Sequence, residues 1–435
     1  MDDSAELSPA PRRARHPLTH RGYLGFFVAR ICTTLAQNGM IIVIGWQVYD
    51  LARATMTPRE AALQLGLVGL VQFLPLFLLV PVTGWTADRI DRRFISRSCV
   101  ALSLACCVVL GVLTFTHALS LPALFGVSAV LGVARAFYQP AQNALAPNLV
   151  PAEVLPQAIA ASAIAGRVGA ILGPALGGYL YALSPNAPYV GSGLLYALAI
   201  GFMLLIGPLK RSAMSSRGAL RQMAEGFQYV IANRLVLGAI SLDLFAVLLG
   251  GATAMLPIYA RDILHVGPAG LGHLRAAPAV GALASAVWLA WRPLKTNVGT
   301  KMLISVALFG VATAIFGLSR WMPLSLVMLA VLGAADMVSV YIRQTLVQIY
   351  TPDEMRGRVG AVSSLFVSAS NELGEAESGF LAAAIGPVAA VVAGGVGAVL
   401  VTGLWARLFP ALRLARSFDQ PTEDPEGGHR PPAPL

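Results

Sequence analysis

Three glutamates, Glu372, Glu375 and Glu377, stand inside SASNELGEAESGFLAAAIG, residues 368–386, with apolar residues on both sides. A carboxylate can exchange a proton or hold a guanidinium. Setting an ionisable group at a helix centre in hydrocarbon costs on the order of 2.5–3.5 kcal/mol, so such groups point to a use. At about 100° per residue, Glu372 and Glu375 fall within one sector of about 60°, while Glu377 points well away. Two carboxylates that close cannot both ionise cheaply, and a shared proton suits a carrier that exchanges protons. Glu372 and Glu375 are therefore the candidate coupling pair, with Asp243 and Asp336 as rival carriers, and Glu377 is expected to pair with a neighbouring cation. Capping of hydroxyls, or an arginine across a helix seam, explains the same residues.

The other charges set in apolar runs are Arg30, Arg135, Arg167, Asp243, Arg275, Asp336 and Arg343. The N-terminal half holds arginines and no clear deep acid; the C-terminal half holds all five acids. Catalytic chemistry finds no foothold: His16, His20, His117, His265, His273 and His429 are scattered through tails, loops and run ends. No GxxxxGK[ST] loop occurs, which argues against direct use of ATP. Cys32, Cys99, Cys106 and Cys107 lie in apolar runs without metal-ligand or disulfide spacing and read as small buried hydrophobes.

The elements that must carry these groups follow from composition. Of 435 residues, 56% are hydrophobic and 12% charged, whereas a soluble chain is about 25% charged. Mean hydropathy is +0.70. About 20 apolar residues cross the hydrocarbon core, and twelve such runs are predicted: 23–50, 61–84, 97–117, 121–146, 157–183, 188–209, 235–260, 270–291, 300–319, 323–347, 358–384 and 387–409. The expected organisation is a tail over 1–22, a six-helix bundle over 23–209, a connector with an amphipathic helix over 210–234, a second bundle over 235–409 and a disordered tail over 410–435. The first 22 residues are polar and Arg-rich and do not read as a cleavable signal.

A net charge of +10 raises the question of nucleic acid. Loop placement answers it better. Arg12, Arg13, Arg15 and Arg21 precede the first run, and Arg89, Arg92, Arg93 and Arg97 follow the second. Lys210, Arg211, Arg217, Arg221 and Arg234 lie in the connector. The opposite loops offer Arg53, Arg59, Arg261 and Arg320. The bias places both termini in the cytoplasm of a plasma (inner) membrane protein. A lipid bilayer is the expected partner of a monomer, with no nucleic acid, metal or cofactor.

Residues 131–183 laid on 332–384 without a gap give 14 identities in 53 positions, where chance in so biased a composition gives roughly four or five. The chain therefore reads as two parallel six-helix repeats. The alignment sets NELGEAESG over AILGPALGG and Arg135 over Asp336. Matching RGYLG at 21–25 to RLVLG at 234–238 sets Arg30 over Asp243.

Two motifs are specific. GWTADRIDRR places Gly84, Asp88, Arg89, Arg92 and Arg93 between the second and third runs. An acid at a span end can hold a helix N-terminus and nearby guanidiniums in one of two arrangements, a charge latch; an ordinary basic loop is the plainer reading. GAILGPALGG fits G-x-x-x-G-P-x-x-G-G at Gly169, Gly173, Pro174, Gly177 and Gly178. Its glycines every four residues form a smooth stripe for close helix approach, and Pro174 softens the helix. Here the chain resembles the major facilitator superfamily, in the branch with enterobactin and macrolide exporters. Asp91 stands where most members have glycine in the loop signature. ARAFYQPAQNALAPNLVP, residues 134–151, resembles the same branch.

The resemblance implies an all-α membrane protein of twelve transmembrane helices in two pseudo-symmetric bundles. It implies a secondary active transporter, not an enzyme: a proton-coupled efflux antiporter for a small amphipathic molecule such as a drug, siderophore or secondary metabolite. In that fold spans 1, 4, 7 and 10 line the cavity, so Arg30 and Arg135 are expected to face Asp243 and Asp336 across the substrate path. Static ion pairs between helices are the alternative for these residues. An importer or facilitator, or a transport-inactive sensor, is the alternative for the chain.

Overall fold

The computed structural model describes residues 17–79, 82–83, 86, 89–145, 148–151, 154–207 and 219–418. The described residues form helices and turns, with no strand among them. The membrane helices are span 1 (Arg21–Arg53), span 2 (Pro58–Leu78), span 3 (Arg92–Phe115), span 4 (Leu121–Leu145), span 5 (Leu155–Leu183) and span 6 (Ala187–Leu204). After a connector helix (Ala219–Ala232) come span 8 (Gly267–Trp291), span 9 (Val298–Leu318), span 10 (Met322–Ile349), span 11 (Asp353–Ile385) and span 12 (Pro387–Leu408).

Span 7 (Arg234–Ile263) is broken between the connector helix and span 8: Arg234–Leu249 is α-helical, and 3-10 and π turns follow Gly250 and Gly251. Irregular backbone at membrane depth is tolerated where it is buried in protein or lines a cavity. This one lines a cavity.

Eleven described helices are long and apolar enough to cross a membrane. Span 11 lies outside that set despite its 33 residues. Its glutamates lower its hydropathy, and packing between other spans compensates. It runs along span 2 and against the α-helical part of span 7. The predicted spans and the helices differ by a few residues at most ends; a helix over Ala219–Ala232 lies in the predicted connector, whereas Pro410–Arg413, in the tail expected to be disordered, is helical and buries Leu412. Cys32, Cys99, Cys106 and Cys107 are buried and free.

The repeat reappears as packing. A side-chain carbon at Gly173 would lie 2.8 Å from the Leu35 carbonyl of span 1, and one at Gly374 would lie 2.9 Å from the Val247 carbonyl of span 7. Gly178 presses on Pro268 and Gly272 of span 8, and Gly379 on Gly66 of span 2. Each half thus sends its fifth helix to its own first helix and to the opposite half. The stripe Gly169, Gly173 and Gly177 packs on span 1 within its own half. The residues of that motif at the seam between halves are Pro174 and Gly178, which meet span 8.

On the side opposite the connector, the two halves are tied by charge. Asp262 at the end of span 7 accepts from Tyr49 Oη at 2.6 Å and from Arg53 Nε at 3.0 Å. Arg261 pairs with Asp50 at 2.8 Å. On the connector side, Glu225 of the connector helix pairs with Arg358 of span 11 at 2.8 Å.

Gly84 and Asp88 of the loop motif lie outside the described residues. Of the rest, Arg89 is exposed and Arg92 opens span 3. Arg93 Nη1 donates to the Ile206 carbonyl at 3.2 Å, and Arg97 Nη2 to the Met203 carbonyl at 2.7 Å. Cations there answer the negative end of span 6. Asp91 does not use a glycine's freedom, since its φ is −59°. It caps span 3 by accepting from the Arg93 amide at 2.9 Å, and its carboxylate pairs with the Arg93 guanidinium at 2.5 Å. Arg93's hydrogen bonds hold the Asp91 carboxyl below the usual carboxylate range, with partial burial acting against them.

Candidate functional site

A cavity of about 490 Å³ lies between the halves. Spans 1, 2, 4 and 5 line one side, and spans 7 to 11 line the other. Among the described residues its charged lining is Arg135, Arg167, Arg275, Asp336, Glu372 and Glu375: three cations and three acids, formally balanced.

Two pairs account for four of them. Arg135 of span 4 reaches across the seam to Glu372 of span 11, with Nη2 to Oε1 at 2.9 Å, and its Nη1 donates to Gln72 Oε1 at 3.3 Å. Arg275 of span 8 pairs with Glu375 of span 11 at 3.4 Å. Its Nη1 also donates to the Thr253 carbonyl at 3.1 Å, a carbonyl in the broken part of span 7.

Arg167 and Asp336 remain. Among the described residues Arg167 has no carboxylate within 4.0 Å; its polar contact is Met337 Sδ at 3.8 Å. Asp336, half-buried on span 10, has no cation within 4.0 Å among the described residues. Asp336 feels Asp243, Arg343 and Arg167 at longer range.

The sequence-derived candidates divide accordingly. Arg135, Asp336, Glu372 and Glu375 all line the cavity. Glu372 and Glu375 share a wall, yet each is engaged by an arginine: Arg135 across the seam, the alternative to a shared proton, and Arg275 from the same half. Arg30 and Asp243 are not brought together. Asp243 is bound to Arg343 at 3.1 Å inside the C-terminal bundle, with side chains 5% and 3% exposed. Arg30 sits in the N-terminal bundle near Tyr23 and Tyr138. Glu377 has no cation partner among the described residues, and its Oε2 is buried without a hydrogen bond.

The sequence shows the depth of Arg167 and Arg275 but not their place on the cavity wall, because neither superposes on an acid under the repeat. Gln72, uncharged, carried no comparable signal.

The Major Facilitator Superfamily sequence model matches residues 26–375. The chain belongs to the Major Facilitator Superfamily. It is 27% identical over 422 residues to the enterobactin exporter EntS of Citrobacter koseri, spanning 94% of this chain and 96% of that protein. It is 27% identical over 409 residues to the EntS protein of Escherichia coli, spanning 92% and 94%.

Among solved structures, its fold is similar to a bacterial homolog of the human lysosomal transporter Spinster in an inward-facing, unoccupied conformation. That match has a TM-score of 0.69, 16% identity and coverage of 91% and 98%. It is also similar to the nucleoside transporter NupG, with TM-score 0.70, 13% identity and coverage of 89% and 99%. As a superfamily member, the chain is a multi-pass membrane transporter.

Proposed function

We propose that this superfamily member exports a small amphipathic molecule by alternating access of the central cavity, exchanging it for a proton carried by Asp336. The observation that carries the reading is Asp336, an acid with no cation within 4.0 Å among the described residues, in a cavity whose other acids are held by arginines. Moving a proton on or off Asp336 breaks no ion pair, whereas Glu372 and Glu375 must first release Arg135 and Arg275. The cavity lies at the seam, where it can be offered to either side as the halves rock. The contacts of Tyr49, Arg53 and Arg261 close one side and must break for that side to open.

Export is favoured by the span 5 glycine motif and by relatives that are named as exporters. With the connector cytoplasmic, as the basic residues suggest, the closed side faces outward in an inner-membrane protein. The direct test uses inverted vesicles from cells producing the full chain and a fluorescent amphiphile. A pH gradient should drive its accumulation, and Asp336→Asn should abolish that drive while downhill movement persists. Gradient-driven accumulation unchanged in Asp336→Asn removes Asp336 from the coupling.

A further inference from the structure

The unpaired charges of the cavity say something about the cargo. Four of six charged groups neutralise one another, and the two left over have opposite signs and stand on opposite halves. Arg167 is exposed on span 5, and its guanidinium touches Met337, the residue next to Asp336. The two therefore share one part of the cavity without forming an ion pair. Unneutralised charges that face one cavity attract complementary ones. A planar guanidinium receives a carboxylate through two parallel hydrogen bonds. A lone carboxylate receives an ammonium. Ile41, Ile44, Leu65 and Val68 add apolar lining to the same cavity.

We infer that the transported molecule is zwitterionic: a carboxylate-like group held by Arg167, an ammonium-like group held by Asp336, and an apolar body along spans 1 and 2. The inference rests on the reading of this cavity as the transport site. It also fixes the sign of coupling. Only ionised Asp336 attracts an ammonium, so a proton and the cationic end of the cargo exclude each other, as exchange requires. Binding weakens as pH falls.

The groups around Asp336 leave that sign intact. Asp243 and Arg343 are bound to each other, Glu372 and Glu375 are held by Arg135 and Arg275, and Arg167 holds the other end of the cargo. A cargo with an anionic group alone reverses the sign, because a proton on Asp336 then strengthens the pull of Arg167.

Three probes with one fluorescent body separate these cases: Nε-dansyl-lysine, a zwitterion; dansylcadaverine, an amine; and dansyl-6-aminohexanoate, a carboxylate. Binding is measured to the full chain in nanodiscs at two pH values. The zwitterion is expected to bind about tenfold more tightly than either of the others, a margin equal to about 1.4 kcal/mol. Arg167→Gln should bring it down to the amine, Arg167→Lys should restore part of the margin, and Asp336→Asn should bring it down to the carboxylate and remove the pH dependence.

Three probes alike, bound or unbound, overturn the inference, as do variants that lower all three equally. The ranking in wild-type protein decides the matter even if a variant misfolds. Gradient-driven flux without a head-group ranking refutes only this inference; the ranking without flux refutes only the transport reading.

Discussion

Spans 5 and 11 occupy equivalent places and do different work. Gly173 and Gly374 both let the fifth helix of a half rest on its first helix, and Gly178 and Gly379 both touch the opposite half. Around this shared backbone the side chains diverge. Ile171, Pro174 and Leu176 of span 5 correspond to Glu372, Glu375 and Glu377 of span 11. Two of those acids face cavity arginines. The third takes the place of a residue 46% exposed on the outer surface, Leu176, and lies between exposed Leu373 and Phe380 on span 11. The packing is duplicated and the charge is not: one half supplies a smooth seam, the other the acids. Spans 4 and 10 show the same divergence, with buried Gln142 where span 10 has Arg343.

The strongest way to expose this asymmetry is Asp243→Ala. It leaves Arg343 buried without its counter-ion, at a cost of about 3–5 kcal/mol. Thermal unfolding in detergent should show a large loss for Asp243→Ala. Gln142→Ala, at the equivalent place in the other half, should change stability far less. Equal losses would mean that the Asp243–Arg343 pair contributes nothing particular.

Next in size are the seam glycines. Valine at Gly178 or Gly379 meets backbone of the opposite half and should cost the closed side about 1–3 kcal/mol, shifting the balance between open and closed states roughly 5- to 150-fold. Labelling of a cysteine placed beside Asp262 reads that shift. Gly173→Val, whose clash is with span 1 in its own half, should lower stability and leave the labelling rate alone. Identical behaviour of Gly173→Val and Gly178→Val would erase the division between packing within a half and packing across the seam.

Glu377→Leu tests the outer face by giving span 11 the residue type of span 5. Removing a carboxyl whose Oε2 is buried without a hydrogen bond, and which has no cation partner among the described residues, should raise thermal stability by about 1–3 kcal/mol without altering gradient-driven flux. A loss of coupling in that variant would return Glu377 to the transport pathway.

The distribution of these effects reflects what a linear sequence can convey. Apolar run length and punctuation by basic loops located the spans, because bilayer thickness imposes both. The repeat carried the equivalence of Gly173 with Gly374 and of Gly178 with Gly379, because close backbone approach tolerates only the smallest residue. Charge partners were less legible. Superposing the halves gives the depth of Arg30 and Asp243 but not the direction in which each points, and Asp243 turns inward to Arg343. The shared sector of Glu372 and Glu375 was readable from helix geometry. The arginines that reach them come from spans 4 and 8, whose positions around the cavity are set by tertiary packing.

The smallest expected effect concerns the loop that joins spans 2 and 3. Asp91 caps span 3 and binds Arg93, where most of the superfamily has glycine. Removing the cap with Asp91→Ala should cost about 1 kcal/mol. The sign with pH follows from the direction of the shift. The folded carboxyl lies below its unfolded value, so its contribution is complete above the unfolded pKa and is lost as pH falls through the folded one. The wild-type advantage over Asp91→Ala in thermal unfolding should therefore be steady near neutral pH and shrink under acid conditions. An advantage that persists unchanged in acid would assign the effect to backbone conformation. The Arg93 side chain, freed from the acid, would then have no part in holding the end of span 6.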